Sequence, residues 1–459
     1  MITRLQGLFF ILFSLSYISS TAQENSPYSR YGLGDLVPGQ NILNRGMGGI
    51  SAAYADKQTV NFINPASYGN FSYFDTARIR RNANLLSNTL FDIGVEIDTR
   101  TLKSTSPVAK FSSTNLLVSY LQVGIPVKMR KLNRKGVFLG LAMGLKPVSR
   151  INYKIFKASR IPNVDSALTV YEGSGGVSEA NVGFGLRIHD LSIGFNTGYR
   201  FGNKDYSTNL SFLNDTVVYY QSKSSTNANF GGVFLNGGMQ YEIRLSDKNK
   251  RDSTGILRLG AYGSLKRNIN ATRDVIRETV TYDEFGASTR VDSVYQVNEK
   301  GVVVYPATLG AGFTYQDKSN HWMFGADYET TYWTNYRFYK ETDPVKNSWK
   351  IRAGADYFPA DINTPLKKFF KFIRYRAGFY YGCDYINTGD NRTEYGISLG
   401  AGIPLKLRKG YYESQTSILN TTVEFGSRGN KESNLRENIF RISFGLSLAD
   451  LWFNRSKYY

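Results

Sequence analysis

The chain of 459 residues offers little to nucleophilic or metal chemistry. It has two histidines, His189 and His321, and one cysteine, Cys383. A hydrolase triad needs a histidine beside a nucleophile and an orienting acid or amide. Neither histidine stands in a nucleophile motif, no Gly-x-Ser-x-Gly is present, and both histidines fall at expected tight turns. A zinc site needs three or four clustered ligands, which two distant histidines and one cysteine do not supply. The expectation is no catalytic residue, no metal and no cofactor. Gly32-Leu33-Gly34 and Gly46-Met47-Gly48-Gly49 could be taken for phosphate loops. Neither follows a strand in a βαβ unit or ends in Lys-Ser or Lys-Thr. Glycine used for close packing explains them better.

What remains is charge placed at strand spacing. Asp92, Gly94, Glu96 and Asp98 alternate with Phe91, Ile93, Val95 and Ile97. Asn181, Gly183, Gly185 and Arg187 alternate with Ala180, Val182, Phe184, Leu186 and Ile188, and the last such stretch, 438–448, repeats the pattern. Period two with one apolar face marks a strand. Segments of this kind recur at 91–102, 112–127, 136–150, 178–188, 190–202, 228–245, 255–270, 305–316, 321–335, 347–358, 371–385, 393–404, 415–428 and 436–448. A tilted strand needs about 9–11 residues to cross a bilayer, and each segment reaches that length. The connections alternate between short and long, with long ones at 151–177, 203–227 and 271–304. Hairpins are expected inside Tyr206–Tyr220 and Val275–Val297. A bacterial membrane barrel has an even strand number, short turns at one end and long loops at the other. The fold expected is an all-β, transmembrane antiparallel β-barrel of about 14 strands at residues 91–448.

Composition agrees. There are 33 Tyr, 29 Phe and 44 Gly, the aromatic and small residues that supply barrel girdles and packed lumens. No run of 18 apolar residues follows the N-terminus, so a helical membrane protein is excluded. Residues 1–22 read as a secretory signal peptide, with Arg4, an apolar core from Leu8 and a small-x-small site at Ser20 and Ala22. The formal net charge is +19. On an exported chain such charge meets lipid phosphates and not nucleic acid. One cysteine allows no internal disulfide. Basic turns such as KMRKLNRK suit outer-membrane lipid, and the cluster Arg78, Arg80 and Arg81 reads as a solvated loop.

Inside this barrel a charged lumen is expected, and Asp327 and Glu329 on one strand should pair with Lys350 and Arg352 on the next. A buried, wall-bracing network fits their mixed signs better than a selectivity lining. One stretch, Asn44–Ala66, refuses the strand pattern, because Gly46, Gly48 and Gly49 interrupt it. Pro65 biases Asn64 toward extended backbone. It is expected to be a plug within residues 23–90, near the periplasmic end, with residues 449–459 as a periplasmic tail.

Gly46, Gly48, Ser51, Ala52, Ala53, Ala55 and Asp56, followed by Asn64-Pro65-Ala66, resemble the N-terminal hatch of FadL-type outer-membrane transporters. SPYSRYGLGDL resembles the start of the branch of that family found in Gram-negative bacteria with type IX secretion. The resemblance implies a hatch made by Gly46, Gly48, Gly49, Asn64, Pro65 and Ala66, and passive uptake of long-chain fatty acids or other hydrophobic compounds. It places the chain in the outer membrane of a Gram-negative bacterium, with a hydrophobic small molecule as ligand. A related, PorV-like branch implies the alternative, a non-transporting barrel that serves a secretion or assembly complex and binds its proteins.

Overall fold

The structure, a computed structural model, describes residues 26–450 apart from 75–84, 88, 106–107, 163–164, 214–218, 247–252, 283–287, 362–363, 366, 390–391, 406–415 and 430–434. The signal segment 1–22, the cluster Arg78, Arg80 and Arg81, and nearly all of the tail 449–459 lie outside the described residues. Three short strands belong to the N-terminal part: β1 (Asp35–Leu36), β2 (Ser72–Phe74) and β3 (Leu85–Ser87). Long strands follow: β4 (Thr89–Thr105), β5 (Val108–Val127), β6 (Val137–Ile161), β7 (Asp165–Ile188), β8 (Leu191–Phe212) and β9 (Gln221–Ser246). Next come β10 (Ser253–Ser264), β11 (Arg267–Tyr282), β12 (Ser288–Tyr305), β13 (Thr308–Asp317), β14 (Trp322–Thr331) and β15 (Arg337–Phe338). The chain closes with β16 (Ser348–Tyr357), β17 (Arg374–Cys383), β18 (Thr393–Pro404), β19 (Thr416–Arg428) and β20 (Leu435–Asp450).

Fourteen of these strands, β4–β10, β13, β14 and β16–β20, pair antiparallel in a ring that closes where β20 meets β4. The expected strands map one to one onto this wall. Alternation is why: along β4, Asp92, Glu96 and Asp98 are buried while Phe91, Ile93, Val95 and Ile97 are partly exposed. Outward apolar side chains such as Phe184, Ile193 and Phe195 stay exposed because the wall is one strand thick. Such an outer surface is stable only against lipid.

Two expectations need correction. Residues 151–177 and 203–227 are mostly wall and not loop: β6 and β7 pair out to Ile161↔Asp165, and β8 and β9 pair out to Leu210↔Ser222. Above the membrane both faces meet water, so the apolar/polar alternation fades while the backbone pairing continues. The segment 255–270 is two strands, broken between Ser264 and Arg267. Strand β9 pairs with β10 through Asn236–Ser246 and with β11 through Gln221–Gly231, so Gly231-Gly232 marks a change of neighbour. The β11–β12 hairpin thereby extends the wall at this tall end.

The ring has one shortened seam. Strands β5 and β6 pair only through Leu121–Val127 and Leu139–Leu145. Just beyond, the register of β6 shifts between Pro147 and Ser149, as expected where proline removes a ladder donor. There β1 takes over, with Asp35 opposite Arg150 and Leu36 opposite Ser149.

Candidate functional site: the segment inside the barrel

Residues 26–71 lie inside this ring. The first helix, α1 (Ile42–Arg45), starts where Asn41 accepts the Asn44 N–H at 2.8 Å. It ends at a glycine run in which Gly48 and Gly49 take φ of +69° and +91°, a backbone that L side chains enter only at a cost. A 3-10 helix spans Pro65–Asn70. Proline suits its first turn because the missing N–H has no helical partner there. Asn64 accepts from the Ala66 N–H at 3.1 Å. Its amide also donates to the Ala52 carbonyl at 2.6 Å and to Met239 and Ala261 carbonyls of the wall, each at 3.2 Å. Asn64-Pro65-Ala66 is thus a helix start tied to β9 and β10.

The segment winds around the inner wall, and twelve of the fourteen wall strands meet it with a glycine. A β-carbon at Gly94 or Gly445 would strike Ile42, at 2.8 and 3.2 Å. Gly400 faces Gly46, Gly378 faces Gly48, Gly354 faces Met47 and Gly325 faces Ile50. The belt continues with Gly260 at Ala52, Gly238 at Asn64, Gly194 and Gly185 at Pro65, Gly140 at Tyr68 and Gly124 at Phe71. Chain and wall touch backbone to backbone. A β-carbon at Gly48 would lie 2.6 Å from the Phe379 carbonyl and 2.7 Å from that of Ala353, and one at Gly49 would lie 3.1 Å from the Arg352 side chain. The glycines on the inner face of the strands are explained by this fit.

Charge locks the same path. Arg45, 2% exposed, reaches Glu96 of β4 at 2.6 Å and Glu424 of β19 at 3.0 Å. Arg441 of β20 completes the cluster, 3.3 Å from Asp98 and 3.5 Å from Glu424. Nearer the tall end, Asp35 accepts from Arg100 at 2.5 Å and from Arg428 at 2.6 Å. Burial by itself would raise the Asp35 carboxyl, but these two guanidinium groups hold it well below the usual carboxylate range. Ser26 donates to Glu437 at 2.5 Å, and the Arg392 guanidinium stacks 3.3 Å above the Tyr28 ring. Tyr28 and Leu33 enter an apolar cluster with Phe230, Ile269, Trp333 and Tyr336, and the Tyr336 hydroxyl donates to the Gly32 carbonyl at 3.0 Å. At the other end Tyr68 and Phe71 pack with Val60 and Leu90.

The four strand charges are only partly brought together. Asp327 lies opposite Arg352 and Glu329 opposite Lys350 in register. Arg352 pairs with Glu329 at 2.9 Å. Lys350 turns the other way, to Glu394 at 3.2 Å, and Asp327 accepts the Ser51 and Ala52 backbone N–H groups at 2.5 and 2.8 Å. Asp327 therefore holds the segment and not the neighbouring strand. Arg244, on β9, is 69% exposed at the short-turn end. The sequence reading missed Arg45, Asp35, Arg100 and Arg428. Arg100 shares the parity of Asp92 and Glu96, which is a usable signal; Arg45, alone in a glycine run, offers none. Between segment and wall lies a cavity of about 280 Å³ lined by Leu36, Val37, Lys146, Arg352, Glu329 and Trp349 among others.

A closed fourteen-stranded wall wound inside by its own N-terminal segment is the fold of FadL-type outer-membrane β-barrels. A FadL homologue from Pseudomonas aeruginosa has this fold, with a TM-score of 0.52, 11% identity and coverage of 92% of this chain and 99% of that one. So does the P. putida toluene transporter TodX, with a TM-score of 0.52, 14% identity and coverage of 91% and 100%. At such identities the likeness shows the fold alone. The family model for BamG matches residues 1–459, and the chain belongs to the BamG family. No curated protein matches it.

Proposed function

We propose that this chain is a closed barrel in the outer membrane of a Gram-negative bacterium, exported through signal segment 1–22, that serves as an accessory of an outer-membrane secretion or assembly complex and not as an open path. One observation carries the reading: the inner segment is seated on a belt of glycines from twelve of the fourteen wall strands and clamped by buried Arg45. A plug that yields to cargo needs loose or solvated contacts. This one would have to desolvate and part a buried ion pair, at a cost of several kcal/mol. The short-turn end faces the periplasm and the tall end the cell surface, by the usual asymmetry of such barrels. Two measurements test it together. Isolated in mild detergent, the chain should bring other proteins in fixed stoichiometry; in planar bilayers it should show almost no steady conductance. A lone barrel with bound lipid would overturn the reading.

A second reading, passage of a hydrophobic compound, is favoured by the β5–β6 seam. Pairing stops there beside the cavity, and beyond it β6 pairs with β1 in place of β5. Proteins of this fold include a FadL homologue and a toluene transporter. Uptake of labelled fatty acid or toluene that depends on this chain in cells would support passage. Equal uptake with and without the chain would leave the accessory reading.

A further inference from the structure

Above the membrane the wall continues as an open sheet whose outermost strand is β12. Strand β12 pairs with β11 along its length, from Arg267↔Tyr305 to Tyr282↔Ser288. On its other side only Val303 and Val304 pair, with β15. Tyr339 adds bonds to the Val302 and Glu299 carbonyls, so residues 288–298 present a free strand edge among the described residues. Natural proteins blunt such edges with charge, proline or bulges. The same molecule does so at β6, whose outer part beyond Asn152 carries Lys154, Lys157 and Arg160. Strand β12 instead exposes Val291, Val294, Tyr295 and Val297, with Val294 63% and Val297 62% accessible. Two of its charges are satisfied within the hairpin: Arg290 pairs with Glu278 at 2.8 Å and Glu299 with Arg273 at 2.7 Å.

We propose that the edge of β12 at Asp292–Gln296 is a docking site for an extended, alternately apolar segment of a partner protein, which adds to the sheet as a further strand. The proposal rests on the accessory reading and names the surface through which that role is exercised. The occupant follows from the chemistry. A free ladder of N–H and C=O groups is matched only by another extended backbone. Valine and tyrosine on alternate faces select apolar side chains. The length also follows. Register shifts between Arg273 and Val275 and between Thr279 and Val280, with Asn298 at φ +57°, leave an unbroken run only from Asp292 to Gln296. These shifts keep the edge from pairing indiscriminately and limit it to a strand of about five residues.

The test uses the full chain in its own cells, with a photo-crosslinking amino acid placed in turn at Asp292, Val294 and Gln296, and at Ala158 on β6 as control. The expected result is one partner protein whose crosslinked residues fall on a single segment, stepping two residues for each two-residue step along β12, with nothing at Ala158. Tyr295→Pro, which removes a ladder N–H, should lower that yield at least tenfold while the barrel keeps its heat-modifiable gel mobility. Should Tyr295→Pro fail to fold, Val294→Lys replaces it, with the same loss expected. No adduct, scattered adducts, or an adduct of twice the chain's mass (a second copy) would overturn the proposal. If the ladder is absent but the stoichiometric partners still co-purify, this surface is wrong and the accessory reading stands. If no partner accompanies even the unaltered chain, both fall.

Discussion

Arg45 Nη1 lies 2.6 Å from Glu96 Oε2, and both side chains are buried inside the barrel, one on the inner segment and one on the wall. The pair joins residues 51 positions apart, and with Glu424 it ties the segment to strands from both ends of the chain. Desolvated ion pairs add little net stability when intact, but removing one partner strands the other. Its consequence is that the segment cannot leave its seat without exposing bare charge to a low-dielectric interior.

Arg45→Met should therefore destabilise the barrel strongly. Two carboxylates lose their nearest cation, and the loss expected for a broken buried pair is about 3–5 kcal/mol. The midpoint of thermal unfolding in detergent, followed by loss of heat-modifiable mobility, should fall. A double change, Arg45→Met with Glu424→Gln, should recover part of that loss.

Gly48→Val tests the belt. Valine at a φ of +69° is strained, and its β-carbon would meet the Phe379 and Ala353 carbonyls. The left-handed backbone alone costs about 1–2 kcal/mol. The expected outcome is a folded wall with a displaced segment, seen as protease cleavage within residues 41–64 and as new conductance in planar bilayers. Gly389→Ala, a positive-φ glycine with open space around it, should produce neither.

Asp35 sets an acid limit. Its carboxyl is held low in the folded chain by Arg100 and Arg428. A depressed carboxylate contributes stability that is complete above its unfolded value, near 4, and is lost as pH falls through the folded value. Protease protection of residues 26–38 should thus be unchanged from pH 7 to about 5 and weaken only in stronger acid. Asp35→Asn should lose protection already at pH 7 and show a flatter response to acid.

The seam between β5 and β6 allows a direct choice between functions. Cysteines at Leu36 and Ser149, opposite each other in β1 and β6, placed in a Cys383→Ser background, should form a disulfide that fixes β1 to β6 beside the break. An accessory barrel should retain its partners and its low conductance when locked. A lateral path for hydrophobic molecules would instead lose uptake on oxidation and regain it on reduction.

The sequence by itself determined the wall. Alternation from Phe91 to Ile97 and from Asn438 to Leu448 is a local signal, because a strand between lipid and lumen must show one apolar face. The strand number and the order of short and long connections followed from it. Alternation failed where both faces meet water, at 151–161, 165–177, 203–212 and 221–227, so wall was read as loop there. The glycine run Gly46–Gly49 and Asn64-Pro65-Ala66 could be recognised as something other than strand, but not placed. Which carboxylate Arg45 would meet, why Lys350 turns to Glu394, and why Asp327 serves the Ser51 and Ala52 amides were decided by the tertiary structure. Those contacts join residues tens to hundreds of positions apart, and they exist only once the ring has closed around the segment. Closure also brings wall glycines from many strands onto one winding path, a relationship that no spacing within any single strand can carry.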